Sequence, residues 1–570
     1  MYVSIPVHVH RHGGLAFLVP YIASLLLLGI PLLKLETGMG QMMQCGMVKG
    51  CATVHRRTYG VGLMGTFVAL VIAWYYSALM SWSWVYLVGG FADPLPWAGG
   101  FDAAKLYFHE SVLDRSVDLH GGLGACHWKV ALGLAATWTC VYFCIWKGVK
   151  SIGPVLYVTI PLPFVLLFVL MIRGVTLPGA AEGLRFYLGR WDWSAYGDGS
   201  IYVEAASQIF FSLSLAQGVM QAYSSSNPRD SKYVSNAWII GLANSGASIF
   251  AGFALFSTLG YLSRETGVSI EKLANPGFDL GFITYPTAIA MFGKGWSQVF
   301  TLLFFMTLLM LGIDSAFSLV EVLMSPLMDL SSFCRRNRSI VSLAVCVSMY
   351  LLSLVFATRG GFWVLEIVDH YIISYAVIAV GILECLLMTY GYGLKRFNRD
   401  MKKLCNEANN VLWFHSIKIL VPGILGILLL YNIILEALDE GPTALKAQPG
   451  WSKALFGWIF CVALPFLLLP LGYVLPWPDA FGIGCTGNSS GSSGYGDNDN
   501  DDGDGDDDDV ERWSGKNGGL ANEDSLSLSR NGNGGNADHD ATNNEKKNSF
   551  RELGLVNFEL KPSPATTTPS

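Results

Sequence analysis

Charge is scarce in this chain. Of its 570 residues only 14% are Asp, Glu, Lys or Arg, while 52% are apolar and 13% aromatic. That balance excludes a soluble domain with an ordinary solvated surface, and a wholly disordered chain as well. Metal-binding patterns are missing too. The eleven cysteines are scattered without metal-ligand spacing, and Cys140 and Cys144 share a helix face as packing residues. Neither paired histidines on one helix face nor ionisable groups clustered at one depth occur, so the chain has no machinery for a membrane enzyme. The tract His8, His10, His12 reads as solvated. The first apolar run lacks the basic start and small-residue cleavage site of a signal peptide. Outward loops carry no glycosylation sequon, since Asn337 and Asn488 fall on the side read below as cytoplasmic.

What the chain has instead is long apolar runs. Segments near 14–35, 60–90, 128–147, 154–173, 201–222, 234–262, 297–327, 340–357, 362–394, 411–436 and 454–476 are each long enough to cross a bilayer. They predict an all-α polytopic membrane protein of eleven spans. Alternate short loops concentrate Lys49, Arg56 and Arg57, Lys147 and Lys150, Arg229 and Lys232, Arg335, Arg336 and Arg338, and Lys395 to Lys403. Those loops are therefore cytoplasmic. Residues 1–13 form a short outer segment, 14–476 the membrane domain, and 477–570 an acidic cytoplasmic tail. The acidic run from Asp497 to Glu511 accounts for much of the net charge of −6, and its composition predicts disorder. Its spacing does not form a calcium loop. An odd span count with the tail inside places Met1 outside.

Against this apolar background a few polar side chains stand out. Tyr21, Gln208, Ser212, Asn244 and Ser248 lie in hydrocarbon-length runs, and Asp314-Ser315 lies in another. Such groups are costly in lipid unless they bind something or one another. They point to an ion and solute pathway.

The same segments resemble a known family. GGLAFLVPY (13–21) and GIPLLKLETGMGQ (29–41) are similar to the second helix of the neurotransmitter:sodium symporters, and AWYYSALMSWSWVYL (73–87) to the third. VYFCIWKGVKSIG (141–153) and RGVTLPGA (173–180) resemble the fourth and fifth. QIFFSLSLAQG (208–218) resembles the broken sixth helix and NSGASIFAGFALFSTLGY (244–261) the seventh. LGIDSAF (311–317) resembles the eighth and GGFWVLEIVDHY (360–371) the tenth. The resemblance implies an inverted-repeat symporter bundle, here family helices 2–12. Together with the parity of spans, it implies that Met1 is an internal methionine of a longer product. The residues leave open a transport-inactive truncated product and an uncoupled ion channel.

The resemblance also implies roles. One sodium ion would take Leu311 (backbone), Asp314 and Ser315, and a second would take Ser212 and Asn244. Chloride would take Tyr21, Gln208, Ser212, Asn244 and Ser248, all of them neutral. The solute, an amino acid or a related amine or osmolyte, would meet Ile72, Tyr76, Phe211, Ser212, Ser214, Gln217, Ser315 and Leu319. Tyr76 and Phe211 would form an outer lid, with Asp369 the acidic half of an outer gate whose basic partner lies on the absent helix. Glu36 would brace the unwound sixth helix, and Glu384 has no assigned role. Ala216-Gln217 stands where the family usually has glycine and an aromatic. The loop 91–127 has one cysteine, Cys126, where the family has a pair. Nucleic acid is not an expected partner.

The charge pattern is directly testable. A cysteine at Arg399 in an otherwise unreactive background should be labelled by an impermeant thiol reagent only after the membrane is opened; labelling from outside would overturn the assigned orientation.

Overall fold

In the computed structural model, residues 15–189, 191, 193–273, 277–293, 295–438 and 448–474 are described. The expected outer segment 1–13, its histidines and the acidic tail 477–570 lie outside them. The described residues are mainly helical, with no strand and an isolated bridge between Cys126 and Thr358. Ten helices are long and apolar enough to cross a membrane. They are α1 (Leu15–Met43), α3 (Tyr59–Gly89), α4 (Trp128–Ile145), α5 (Ser151–Val175), α7 (Tyr233–Thr266), α8 (Trp296–Asp329), α9 (Arg338–Ala357), α10 (Gly361–Cys405), α11 (Val411–Ala437) and α12 (Gly450–Gly472). A short helix α2 (Met47–Val54) follows α1. The segment expected as a span near 201–222, α6, is interrupted: α6a runs Ser200–Ser212 and α6b Val219–Ser224.

Each departure from a straight helix has a local cause. In α1 a π turn at Leu25–Gly29 comes just before Pro31. Proline lacks an N–H and crowds the preceding turn, which the wider turn accommodates. The Trp413 indole on α11 donates to the Pro31 carbonyl at 3.0 Å. The α1–α6a crossing is close because Gly29 carries no side chain; a Cβ there would lie 2.8 Å from Ile209. Gly381 of α10 likewise admits the Phe210 ring of α6a, which a Cβ would meet at 2.7 Å. Small residues at crossings are how membrane helices approach without a hydrophobic driving force.

α10 extends beyond the span read from hydropathy. After Gly393 (φ 88°) it continues as an amphipathic helix, Leu394–Cys405. Leu394, Phe397, Met401 and Cys405 are buried at helical spacing, while Lys395, Arg396, Lys402 and Lys403 stay exposed. The basic residues read as a loop therefore sit on a helix, because the apolar stripe between them is wide enough to bury.

The break in α6 is the main irregularity of the bundle. Residues 213–218 form turns, and Ser214 (φ 51°), Ala216 (φ 59°) and Gly218 (φ 72°) are left-handed. An L side chain in that region costs roughly 1–2 kcal/mol, so Ser214 and Ala216 are held there by their surroundings. Ala216→Gly should relieve this strain and raise stability by about 1 kcal/mol, read as a higher Tm of the purified protein. An unchanged or lower Tm would show that the alanine methyl contributes packing outweighing the strain.

Candidate functional site

The break exposes backbone groups that the helix would otherwise pair, and a side chain from α1 takes one of them. The Ala216 N–H donates to Glu36 Oε1 at 2.7 Å. Glu36 is fully buried, so this bond replaces an intrahelical one in a place without water. The bracing role expected of Glu36 is thus present in the geometry.

Beside the break, hydrogen bonds link three of the five residues expected at the chloride site, Ser212 of α6a with Asn244 and Ser248 of α7. The Asn244 side chain donates through Nδ2 to Ser212 Oγ at 2.7 Å, across α7 and α6a. Ser248 Oγ donates to the Asn244 carbonyl one turn away, at 3.0 Å. Tyr21 from α1 also reaches α7, but its hydroxyl donates to Ser245 at 3.1 Å. Ser245 was not singled out from sequence; it follows Asn244 directly and faces α1 rather than α6a. Gln208, one turn before Ser212, is 5% exposed. The group is made of neutral hydroxyls and amides, which offer O–H and N–H to an anion without a competing charge.

The residues expected at the α8 sodium site are also neighbours. Ser315 Oγ donates to the Leu311 carbonyl at 3.2 Å, so these two oxygens sit side by side. Asp314 Oδ1 is buried without a hydrogen-bond partner, and Thr159 of α5 lies beside the carboxylate. A carboxylate, a carbonyl and a hydroxyl from one short stretch of α8 are the kinds of oxygen a hard cation takes as ligands.

Tyr76 of α3 reaches α8 at Gly312, where a Cβ would lie 3.8 Å from its ring. That places the expected lid residue next to Leu311. Ile72 and Leu319 are buried, and Phe211 and Ser214 are partly exposed at the break. Gln217 is 1% exposed with its Nε2 unpartnered.

The expected gate residue Asp369 lies beside Tyr75 of α3. The basic partner expected for Asp369 would lie on the absent helix; a separate cation that the sequence reading did not single out, Arg115, stands in the loop 91–127. Its guanidinium lies 4.6 Å over Phe362 and 4.5 Å over Trp363, within electrostatic reach of Glu366 and Asp279. Glu366 is one turn before Asp369 on α10. Nearby, burial first and then Arg115 and Lys105 push the His109 imidazole down to about 4, so it is neutral in ordinary medium and leaves Arg115 and Lys105 as the local cations.

Known proteins are similar to this chain in sequence. The sequence model of the sodium:neurotransmitter symporter family matches residues 4–103 and 98–478. The chain belongs to that family. It is 33% identical over 504 residues to the human sodium- and chloride-dependent creatine transporter 1, covering 81% of this chain and 78% of that one. It is 32% identical over 483 residues to the human sodium- and chloride-dependent GABA transporter 2, covering 80% and 79%. The creatine transporter of Torpedo marmorata is 32% identical over 492 residues, covering 80% and 79%. This member of the symporter family is a multi-pass membrane transporter of small solutes, not an enzyme.

Proposed function

We propose that this symporter couples entry of a small zwitterionic solute, an amino acid or a related amine or osmolyte, to sodium, with chloride as companion. The observation that carries the reading is Asp314. A carboxylate at this depth costs about 2.5–3.5 kcal/mol unless compensated, and its Oδ1 has no partner. Sodium held by Asp314, the Leu311 carbonyl and Ser315 would supply the missing charge. The named sodium dependence of the creatine and GABA transporters supports the same assignment.

Coupling follows from where the ligands sit. Asp314, Leu311 and Ser315 belong to α8, whereas Ser212 and Asn244 join the end of α6a to α7. Sodium at both places would hold the broken helix in the form that receives solute. Tyr76 and Phe211 would then cover the solute, with Ile72, Ser214 and Leu319 around it. The unpartnered Gln217 amide would donate to a polar group on the solute. Chloride in the Tyr21, Gln208, Ser212, Asn244 and Ser248 group would balance part of the sodium charge, and Asp369 with Tyr75 would close the outer side.

Two substitutions test the reading in cells expressing the protein, with uptake of a panel of radiolabelled amino acids, betaines and guanidino acids as the measurement. Asp314→Ala should reduce sodium-driven uptake at least about tenfold, as expected for 1.4 kcal/mol or more of lost ion binding. Uptake that persists in sodium-free buffer would end the symporter reading. Ser248→Glu brings a fixed negative charge to the chloride position, so uptake should become independent of chloride. A variant that still needs chloride would remove Ser248 from that site.

A further inference from the structure

Three helices converge on the inner side of the break, and the transport reading does not use what they bring there. Glu36 of α1 and Glu384 of α10 are 0% and 1% exposed. Their carboxyls are close enough to interact electrostatically, and the packing shows why. Gly29 of α1 and Gly381 of α10 both admit side chains of α6a, Ile209 and Phe210. Glu36 and Glu384 then follow those contacts by seven and three residues on their own helices. One of the four carboxyl oxygens, Glu36 Oε1, accepts from Ala216 N–H. Glu36 Oε2 and both oxygens of Glu384 are buried without partners. Gln221 of α6b, 0% exposed, has both side-chain polar atoms unpaired and packs against Gly40 of α1 and Gly50 of α2.

Among the described residues no cation offsets these acids. Lys34, two residues before Glu36, stands 5.2 Å over the Trp238 ring and faces Glu407. The other titratable groups at hand are the thiols of Cys51 on α2 and Cys385 on α10. Two like charges buried side by side in a low dielectric cannot both persist without compensation, whereas one proton removes the repulsion and satisfies an orphan oxygen. We propose that Glu36 and Glu384 form a proton-binding site, sharing one proton, and that this protonated pair is the form that braces the broken helix. Glu36 is then free to accept from Ala216 with one oxygen while its other oxygen meets the proton. Loss of the proton would push the carboxyls apart and loosen the unwound segment.

The test uses the purified full chain and needs no uptake, so it stands apart from the transport reading. Infrared spectra at pH 7.4 should show the carbonyl stretch of a buried protonated carboxyl, and Glu384→Gln should remove it. A proton held in the folded protein and released on unfolding makes stability fall as pH rises. The wild-type unfolding constant should therefore rise by up to about tenfold per pH unit between pH 6 and 9, and the Glu384→Gln constant should rise less steeply by up to that same factor. Glu36→Gln repeats both measurements from the other partner, which covers the case in which one variant fails to fold. A wild-type spectrum without such a band, with both carboxyls ionised around sodium or water, would overturn the proposal. So would equal pH slopes in wild type and both variants.

Discussion

One hydrogen bond holds the centre of this transporter together. The break in α6 leaves backbone N–H and C=O groups where lipid or packed protein offers no water, and each such group left unpaired costs several kcal/mol. Glu36 answers one of them by accepting from Ala216 N–H. The bond ties down Ala216, one of three left-handed residues in the turn with Ser214 and Gly218. Ser212 at the end of α6a and Gln217 inside the unwound turn lie on either side of it.

Around that joint, side chains of small volume do the rest. Gly29 and Gly381 let α1 and α10 close onto α6a, and each ends or follows a π turn of its own helix. The polar groups fall on two sides of the broken helix. Neutral donors gather on the α7 side, from Ser212 through Asn244 to Ser248. The acid that suits a cation, Asp314, stands on α8, away from them. Keeping a fixed carboxylate out of the group of neutral donors is what lets an anion be considered there at all. The same separation makes the acid pair Glu36–Glu384 a distinct electrostatic problem on the inner side.

Much of this was legible in the order of residues. Span positions follow from unbroken hydropathy, which depends on composition over about 20 residues and little else. The interruption between Ser212 and Gly218 was expected from the resemblance of QIFFSLSLAQG (208–218) to the family's broken sixth helix. Glu36 was expected as a brace only through the family resemblance, since no local pattern names the group it would meet. The extension of α10 to Cys405 was not read, since a net polar, basic stretch fails a hydropathy test even when it carries a buried stripe.

The sequence by itself determined the class of the protein, the positions of its long apolar helices and the neutral character of Asn244 and Ser248 on α7, because these rest on local apolar content and side-chain type. Tertiary structure alone decided the pairings. Tyr21 meets Ser245 rather than Ser248 because helix rotation selects which of two nearby hydroxyls faces α1. Arg115 reaches α10 from a loop whose path no local pattern encodes. Glu384 faces Glu36 across a distance of 348 positions in the chain, brought there by glycine contacts whose partners are set by helix crossing. Local sequence records what a side chain can do; which groups it does it with depends on packing between segments far apart in the chain.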